Sequence, residues 1–153
     1  MASVQEPLVE ALLLGKSAQA TERGVALDLD PGTSVSGLVL TPHEAVTVIG
    51  NLVDNAIDAA QHSAGRRVAV RLVSTDTSFA LTVEDSGPGV AAEDRSRVFT
   101  RGWSTKDDET GTGRGLGLDL VGQVVRRHRG ETTVDASEAL GGARLDVRIG
   151  SDA

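Results

Sequence analysis

Three polar residues stand at helical spacing in the segment VIGNLVDNAIDAA, residues 48–60. Asn51, Asn55 and Asp58 lie three and four positions apart, so a helix places them along one line of its surface. The apolar stripe of the same helix consists of Ile49, Leu52, Val53, Ala56 and Ala60. Amide and carboxylate oxygens are ligands that a hard divalent cation prefers. Taken alone, however, such a polar line is more often the solvated face of an amphipathic helix.

Two glycine-containing segments further along the chain have the composition of a nucleotide site. In Asp85-Ser-Gly87-Pro-Gly89, a carboxylate at a strand end can accept a hydrogen bond from an exocyclic amine, and the glycines leave room for a flat ring. An ordinary strand-to-turn exit has the same residue types. The run from Gly111 to Leu118, GTGRGLGL, enters a helix N-terminus, which favours phosphate. It is neither a P-loop nor a dinucleotide fingerprint, and a flexible linker is the alternative.

Between these segments, Phe99 and Trp103 are two of only three aromatic residues in the chain. They can anchor a flap from which Lys106 reaches phosphate oxygens as a point charge. A small hydrophobic cluster beneath a loop explains the same residues and is compatible with that role. Residues 104–115 have almost no apolar content, so we expect this segment to be mobile without nucleotide, with Trp103 reporting its closure.

The chain as a whole has the size and composition of one globular domain. Its 153 residues are 39% hydrophobic, and only 2% are aromatic, so Leu, Val, Ile and Ala must build the core. A net charge of -7 argues against general binding to nucleic acid or anionic membranes. The absence of cysteine excludes disulfides and thiolate metal sites, and it fits a cytoplasmic location.

The elements that must position these residues follow from periodicity and from helix start and stop signals. Helices are predicted at residues 7–23, 41–62 and 116–128, with a short one around 93–98. Strands are predicted at 25–30, 67–73, 79–84, 131–136 and 143–149, and residues 32–37 are predicted as loop. Because strands come largely in adjacent pairs, we expect a two-layer α/β sandwich with a mixed, mostly antiparallel sheet and helices on one face.

The motifs NLVDNAIDAA, DSGPGV, VFTRGWSTK and GTGRGLGLDLV, in this order, resemble the N, G1, F and G2 boxes of the ATP-binding domain of bacterial sensor histidine kinases. That family shares its ATP-binding (Bergerat) fold with DNA gyrase, the Hsp90 chaperone and MutL. The resemblance covers the chain from about Val25 onward. The opening LLLGKSAQATERGVALDLD resembles the segment that joins the dimerisation helices to the catalytic domain in citrate/dicarboxylate-sensor kinases.

The resemblance implies a role for each matching residue. Asn55 would bind Mg²⁺ with Asn51 near the phosphates, and Asp85 would read the adenine amino group. The predicted ATP-contacting set is Asn51, Asn55, Asp85, Gly87, Gly89, Val90, Thr105, Lys106, Gly111, Thr112, Gly113, Arg114, Gly115, Leu116, Gly117 and Leu118. Many relatives carry Lys or Arg where this chain has Asp58, so a basic phosphate contact from that position is absent.

The resemblance also implies partners outside this chain. None of His43, His62 and His128 has the context of a phosphoacceptor histidine, and we expect all three at ordinary surface positions. Residues 1–24 are predicted to lead from a separate dimerisation domain and residues 25–153 to form the catalytic domain. The parent kinase would use Mg·ATP to phosphorylate a histidine there, with a response regulator downstream. The alternatives are an anti-sigma-factor-type serine kinase and a non-catalytic nucleotide-binding domain; a gyrase-like ATPase is disfavoured because Asn51 stands where its acidic residue would be.

Overall fold

Three α-helices, a short 3₁₀ helix and one mixed sheet form the part of the domain that the structure describes. The computed structural model describes residues 2–100 and 114–150, and only the backbone of residues 114–116. The helices are α1 (Pro7–Glu22), α2 (Pro42–Gln61) and α3 (Arg114–Arg127), with a 3₁₀ helix at Ala92–Arg97. The strands are β1 (Ser3–Val4), β2 (Ala26–Leu29), β3 (Ser34–Val35), β4 (Arg67–Ser74), β5 (Phe79–Asp85), β6 (Glu131–Ala136) and β7 (Ala143–Ile149).

The sheet is mixed, with its longest pairings antiparallel. The strand order is β1-β3-β4-β5-β7-β6, and β2 also pairs with β4. β4, β5, β7 and β6 form antiparallel neighbours, whereas β1–β3, β3–β4 and β2–β4 are short parallel pairings. Alternation along β4 and β5 buries one face of each strand, as predicted, and the helices pack on that face. The predicted two-layer architecture is therefore confirmed.

The predicted helix bounds agree with the structure within a few residues. The capping residues that the sequence offers at the helix ends form the expected hydrogen bonds. Thr41 Oγ1 accepts a hydrogen bond from the Glu44 backbone N–H, and Glu44 Oε1 accepts one from the Thr41 N–H. This capping box and Pro42 begin α2 at the predicted position. The apolar stripe of α2 is buried, from Val48 and Ile49 through Ala60. Burial of that stripe leaves the line containing Asn51 and Asn55 partly exposed.

The prediction of a loop over residues 32–37 is wrong at Ser34 and Val35, which form β3 against the end of β4. Turn-forming composition indicated a loop there, but tertiary contacts override it. Val35 is buried, and the buried Thr33 hydroxyl accepts a hydrogen bond from the Leu72 N–H at 3.3 Å. β1, which pairs with β3, was not predicted either, because two-residue strands leave no periodic signal.

Candidate functional site

The two amides of α2 face different surroundings. Asn51 donates a hydrogen bond from Nδ2 to the Thr47 carbonyl at 2.8 Å, which fixes its side chain along the helix. A Cβ atom built on Gly117 would lie only 2.8 Å from Asn51 Oδ1, so α3 approaches α2 closely at this point. Asn55 lies one turn later and is partly exposed, and its side chain bonds to none of the residues described. Its amide oxygen is therefore available to a ligand.

Asp85 ends β5 and is only 2% exposed. Its Oδ1 accepts hydrogen bonds from the Gly87 N–H at 2.8 Å and the Ala143 N–H at 3.2 Å. Oδ2 has no such partner within residues 2–100 and 114–150, where no fully buried side-chain oxygen or nitrogen is left unpaired. Oδ2 must therefore keep access to the surface of the site. Burial raises the pKa of Asp85, and the hydrogen bonds from Gly87 and Ala143 offset this only in part.

Three segments pack against one another around Asp85: the turn after β5, the end of α2 and the β6–β7 loop. We call this surface the wall of the site. A Cβ atom on Gly87 would lie 2.8 Å from Ala59 on α2, and one on Gly142 would lie 2.3 Å from Asp85 Oδ1. Gly89 has a φ of +78°, which side chains rarely adopt, so the turn after β5 needs glycine there. These contacts join the turn after β5 to α2 on one side and to the β6–β7 loop on the other.

Hydroxyl groups hold the same turn against the end of α2. Ser86 Oγ lies 2.8 Å from Ser63 Oγ, and it accepts a hydrogen bond from the Arg67 N–H at 2.9 Å. Ser63 Oγ in turn lies 2.8 Å from the Ala60 carbonyl, to which it donates. The position of the Asp85 turn relative to α2 is thus set by side-chain bonds as well as by packing.

Two predicted contact residues pack into the body of the domain. Leu118 is 2% exposed in the core, and Val90 is partly buried against that core. Phe99 is also in the core, and a Cβ on Gly122 of α3 would lie 2.9 Å from its carbonyl oxygen. Phe99 is thus part of the main core rather than of a separate small cluster, and its expected companion Trp103 lies outside the described residues.

The structure brings part of the predicted set together along α2. Asn51 meets Gly117, Asn55 follows one turn later, and Ala59, one turn further, contacts Gly87. Arg114, Gly115 and Leu116 belong to the first turn of α3. The predicted contacts Thr105, Lys106, Gly111, Thr112 and Gly113, the residue Trp103, and most of the predicted mobile segment lie outside the described residues.

Several residues that shape the site were missed in the sequence. Ala59 belongs to the motif NLVDNAIDAA but is neither on its polar line nor in its apolar stripe, and Gly142 is not among the predicted contact residues. Gly122 was not singled out, although a glycine inside a helical pattern is a signal of close packing. His128, expected at the surface, is instead hydrogen-bonded to the buried Glu44 through Nε2 at 2.9 Å.

Residues 41–152 match the model of a protein family described as histidine kinase-, DNA gyrase B-, and HSP90-like ATPase. The match extends over more than half of the chain and includes every site residue discussed above. The chain belongs to this ATPase family. The resemblance drawn from the four motifs and the expected fold are thereby confirmed.

Curated relatives of this ATPase domain are sensor kinases. The chain is 38% identical over 154 residues to the sensor protein CitS of Halalkalibacterium halodurans, and 30% identical over 142 residues to the sensor histidine kinase DcuS of Escherichia coli K12. These alignments cover 95% and 92% of the chain but only 27% and 25% of the two relatives. The chain thus spans about a quarter of the length of the relatives it matches.

Solved structures share the fold of this ATPase domain. The mycobacterial sensor histidine kinase MprB superposes with a TM-score of 0.70 at 23% identity, covering 94% of this chain and 93% of that one. The ATP-binding domain of PrrB from Mycobacterium tuberculosis gives 0.67 at 24% identity, covering 95% of both. In the part of the chain that the structure describes, no helix is both long and apolar enough to cross a bilayer.

The donor set fits Mg²⁺ held together with a phosphorylated ligand. No group of three His, Cys, Asp or Glu side chains able to hold a metal ion occurs among the described residues. Mg²⁺ commonly keeps several waters and takes one or two protein oxygens together with substrate phosphates. The unbonded amide of Asn55 suits that arrangement, in which the protein supplies few of the oxygen ligands and the phosphates and waters supply the rest.

Proposed function

We propose that this chain is the ATP-binding catalytic domain of a sensor histidine kinase, and that it presents Mg·ATP to a histidine on a separate dimerisation domain. The observation that carries the proposal is the pairing of a buried aspartate, one oxygen of which remains open, with a row of amides on the adjoining helix. Asp85 and the Asn51–Asn55 row share one wall, because Ala59 of α2 contacts Gly87 directly.

Each part of this wall has a distinct task in the proposed mechanism. Asp85 Oδ2 accepts a hydrogen bond from the adenine amino group, while Oδ1 stays bonded to the backbone. Asn55 would hold Mg²⁺, which supplies neutralisation of phosphate charge. The α3 N-terminus, beginning at Arg114, offers free N–H groups to the phosphates.

Phosphoryl transfer requires mainly positioning and charge stabilisation from the protein. Asn51 stands where a water-activating acid would be needed for an ATPase of the gyrase type, and its amide is not a base. The nucleophile in our proposal is therefore an imidazole on the separate domain, assisted by an acidic neighbour of that histidine. A response regulator receives the phosphoryl group afterwards, and the domain works in the cytoplasm.

Calorimetric titration of wild type and Asp85→Asn with Mg·ATP tests the nucleotide site. The asparagine retains an Oδ1 acceptor for Gly87 and Ala143 but lacks the charge, so we expect affinity to fall by about 10- to 100-fold, the equivalent of a charged hydrogen bond. Unchanged affinity would disprove the assignment of Asp85.

A radiolabel transfer assay to an added dimerisation domain tests the reaction. The proposal requires label that is lost in acid, as phosphohistidine is. Acid-stable label would support the serine kinase instead, and binding without transfer to any acceptor would support a non-catalytic domain.

A further inference from the structure

The polar stripe of α2 carries two carboxylates in addition to its two amides. Asp54 and Asp58 alternate with Asn51 and Asn55 at spacings of three and four residues, so all four lie on neighbouring turns. The amide edge of this stripe meets α3, where Asn51 lies against Gly117. The acidic edge meets α1 instead.

Side chains of α1 and its C-cap bond to both carboxylates. Lys16 Nζ lies 2.8 Å from Asp54 Oδ1, and Gln19 Nε2 donates to the same oxygen at 3.2 Å. The guanidinium of Arg23, the C-cap residue of α1, lies 2.7 Å from Asp58 Oδ1. The Lys16 side chain is 19% exposed and passes over Gly50, so it is partly shielded from solvent.

These carboxylates are poorly placed for a site that binds a triphosphate. Asp58 is one turn from Asn55, so their Cβ atoms are about 5–6 Å apart. A triphosphate at Asn55 would therefore lie within one screening length of both acids, close enough to be repelled. Neutralisation of the two carboxylates removes that repulsion without a basic residue on α2 itself.

We propose that Lys16 and Arg23 are positioning residues that neutralise Asp54 and Asp58 and thereby set the preference of the site for triphosphates over the bare nucleoside. The inference rests on the proposed function, since it assumes that phosphates lie at Asn55. It gives α1 a part in nucleotide binding, although this helix contributes no residue to the predicted ATP-contacting set.

The test is a comparison of Mg·ATP, Mg·ADP and adenosine binding to wild type and Arg23→Gln. Adenosine is measured by competition against a fluorescent ATP analogue. We expect the substitution to weaken ATP binding about three- to tenfold, consistent with the loss of one positive charge beside Asp58 near the protein surface. The loss should be smaller for ADP, absent for adenosine, and reduced by added salt.

Rescue separates this electrostatic role from a structural one. In the double variant Arg23→Gln/Asp58→Asn, the carboxylate that needed neutralising is gone, so ATP affinity should return to near the wild-type value. Lys16→Gln combined with Asp54→Asn should behave in the same way. Arg67→Gln is the matched control, because it breaks an exposed ion pair with Asp28 on β2 and should change no affinity.

Three results with the variants would overturn the inference. These are unchanged ATP affinity in Arg23→Gln, an equal loss for adenosine and ATP, and failure of Asp58→Asn to rescue, which would indicate that Asp58 itself binds the metal. A wild-type domain that binds adenosine and ATP equally well would also overturn it while leaving the adenine site intact. If wild type binds no adenine nucleotide, the proposed function fails together with the inference.

Discussion

Glu44 lies within a cluster of charges that joins the beginning of α2 to the end of α3. Its side chain is 7% exposed, and its Oε2 lies 3.0 Å from the Arg127 guanidinium, while Oε1 lies 2.9 Å from His128 Nε2. Burial alone would raise the pKa of Glu44. Hydrogen bonds from the Thr41 N–H, His128 and Arg127 outweigh it and lower the pKa from 4.5 to about 2.

A lowered pKa makes the ionised form a source of stability. The contribution is complete above the unfolded-state pKa of 4.5 and is lost as the pH falls through about 2. At 1.36 kcal/mol per pKa unit, the full difference corresponds to an upper limit of about 3 kcal/mol. Linkage between the two pKa values gives a loss of about 2 kcal/mol between pH 7 and pH 3.

Glu44→Gln tests this contribution, because glutamine keeps the acceptor for the Thr41 N–H and removes only the charge. By urea denaturation we expect a free energy of unfolding about 2–3 kcal/mol below wild type at pH 7, and a gap of about 1 kcal/mol at pH 3. Glu131→Gln, on the exposed strand β6, corrects for the general change in net charge. Equal stabilities at pH 7, or a gap that is the same at both pH values, would refute the reasoning.

Three further substitutions test the geometry of the site. Asp85→Asn should raise the melting temperature of the nucleotide-free domain in calorimetry, because the raised pKa of Asp85 means that its ionised form costs stability at neutral pH; a lower melting temperature would contradict this. Gly117→Ala should weaken Mg·ATP binding about fivefold by displacing Asn51, while urea denaturation shows α3 undamaged, since alanine favours helix by up to about 1 kcal/mol. Gly142→Ala should lower the free energy of unfolding by about 1–3 kcal/mol and impair ATP binding, because its Cβ would overlap Asp85; normal values of both would show that the loop yields freely.

Local signals were sufficient to predict most of the fold. The capping box at Thr41 and the alternation of Val68, Val70 and Leu72 are each encoded in fewer than ten consecutive residues, so α2 and β4 were predictable. β3 was not, because Ser34 and Val35 are extended only through their pairing with β4. The residues that make this segment a strand lie in β4, about 40 positions later in the chain, so no pattern within residues 32–37 predicts it.

The site was predictable where chemistry resides in side chains and unpredictable where it depends on backbone proximity. Asn55 and Asp85 are candidates because of their residue types and their positions at a helix face and a strand end. The contacts of Ala59 with Gly87 and of Gly142 with Asp85 depend on how α2 and the β6–β7 loop pack. Neither contact has a periodic signature, so no local pattern predicts these small residues as part of the site.

Among the described residues, Glu44 and Asp85 are buried carboxylates with displaced pKa values, and their surroundings differ in a way that distinguishes a binding role from a structural one. Glu44 has both oxygens bonded, to Arg127 and His128 as well as to the backbone, and its pKa is lowered. Asp85 is buried at least as deeply, but within the described residues its side chain accepts from only two backbone N–H groups, both at Oδ1, and its pKa is raised. A carboxylate that is buried without a cation destabilises the fold unless a ligand donates to it. Asp85 therefore has the electrostatics expected of a residue retained for binding, whereas Glu44 has those of one retained for stability.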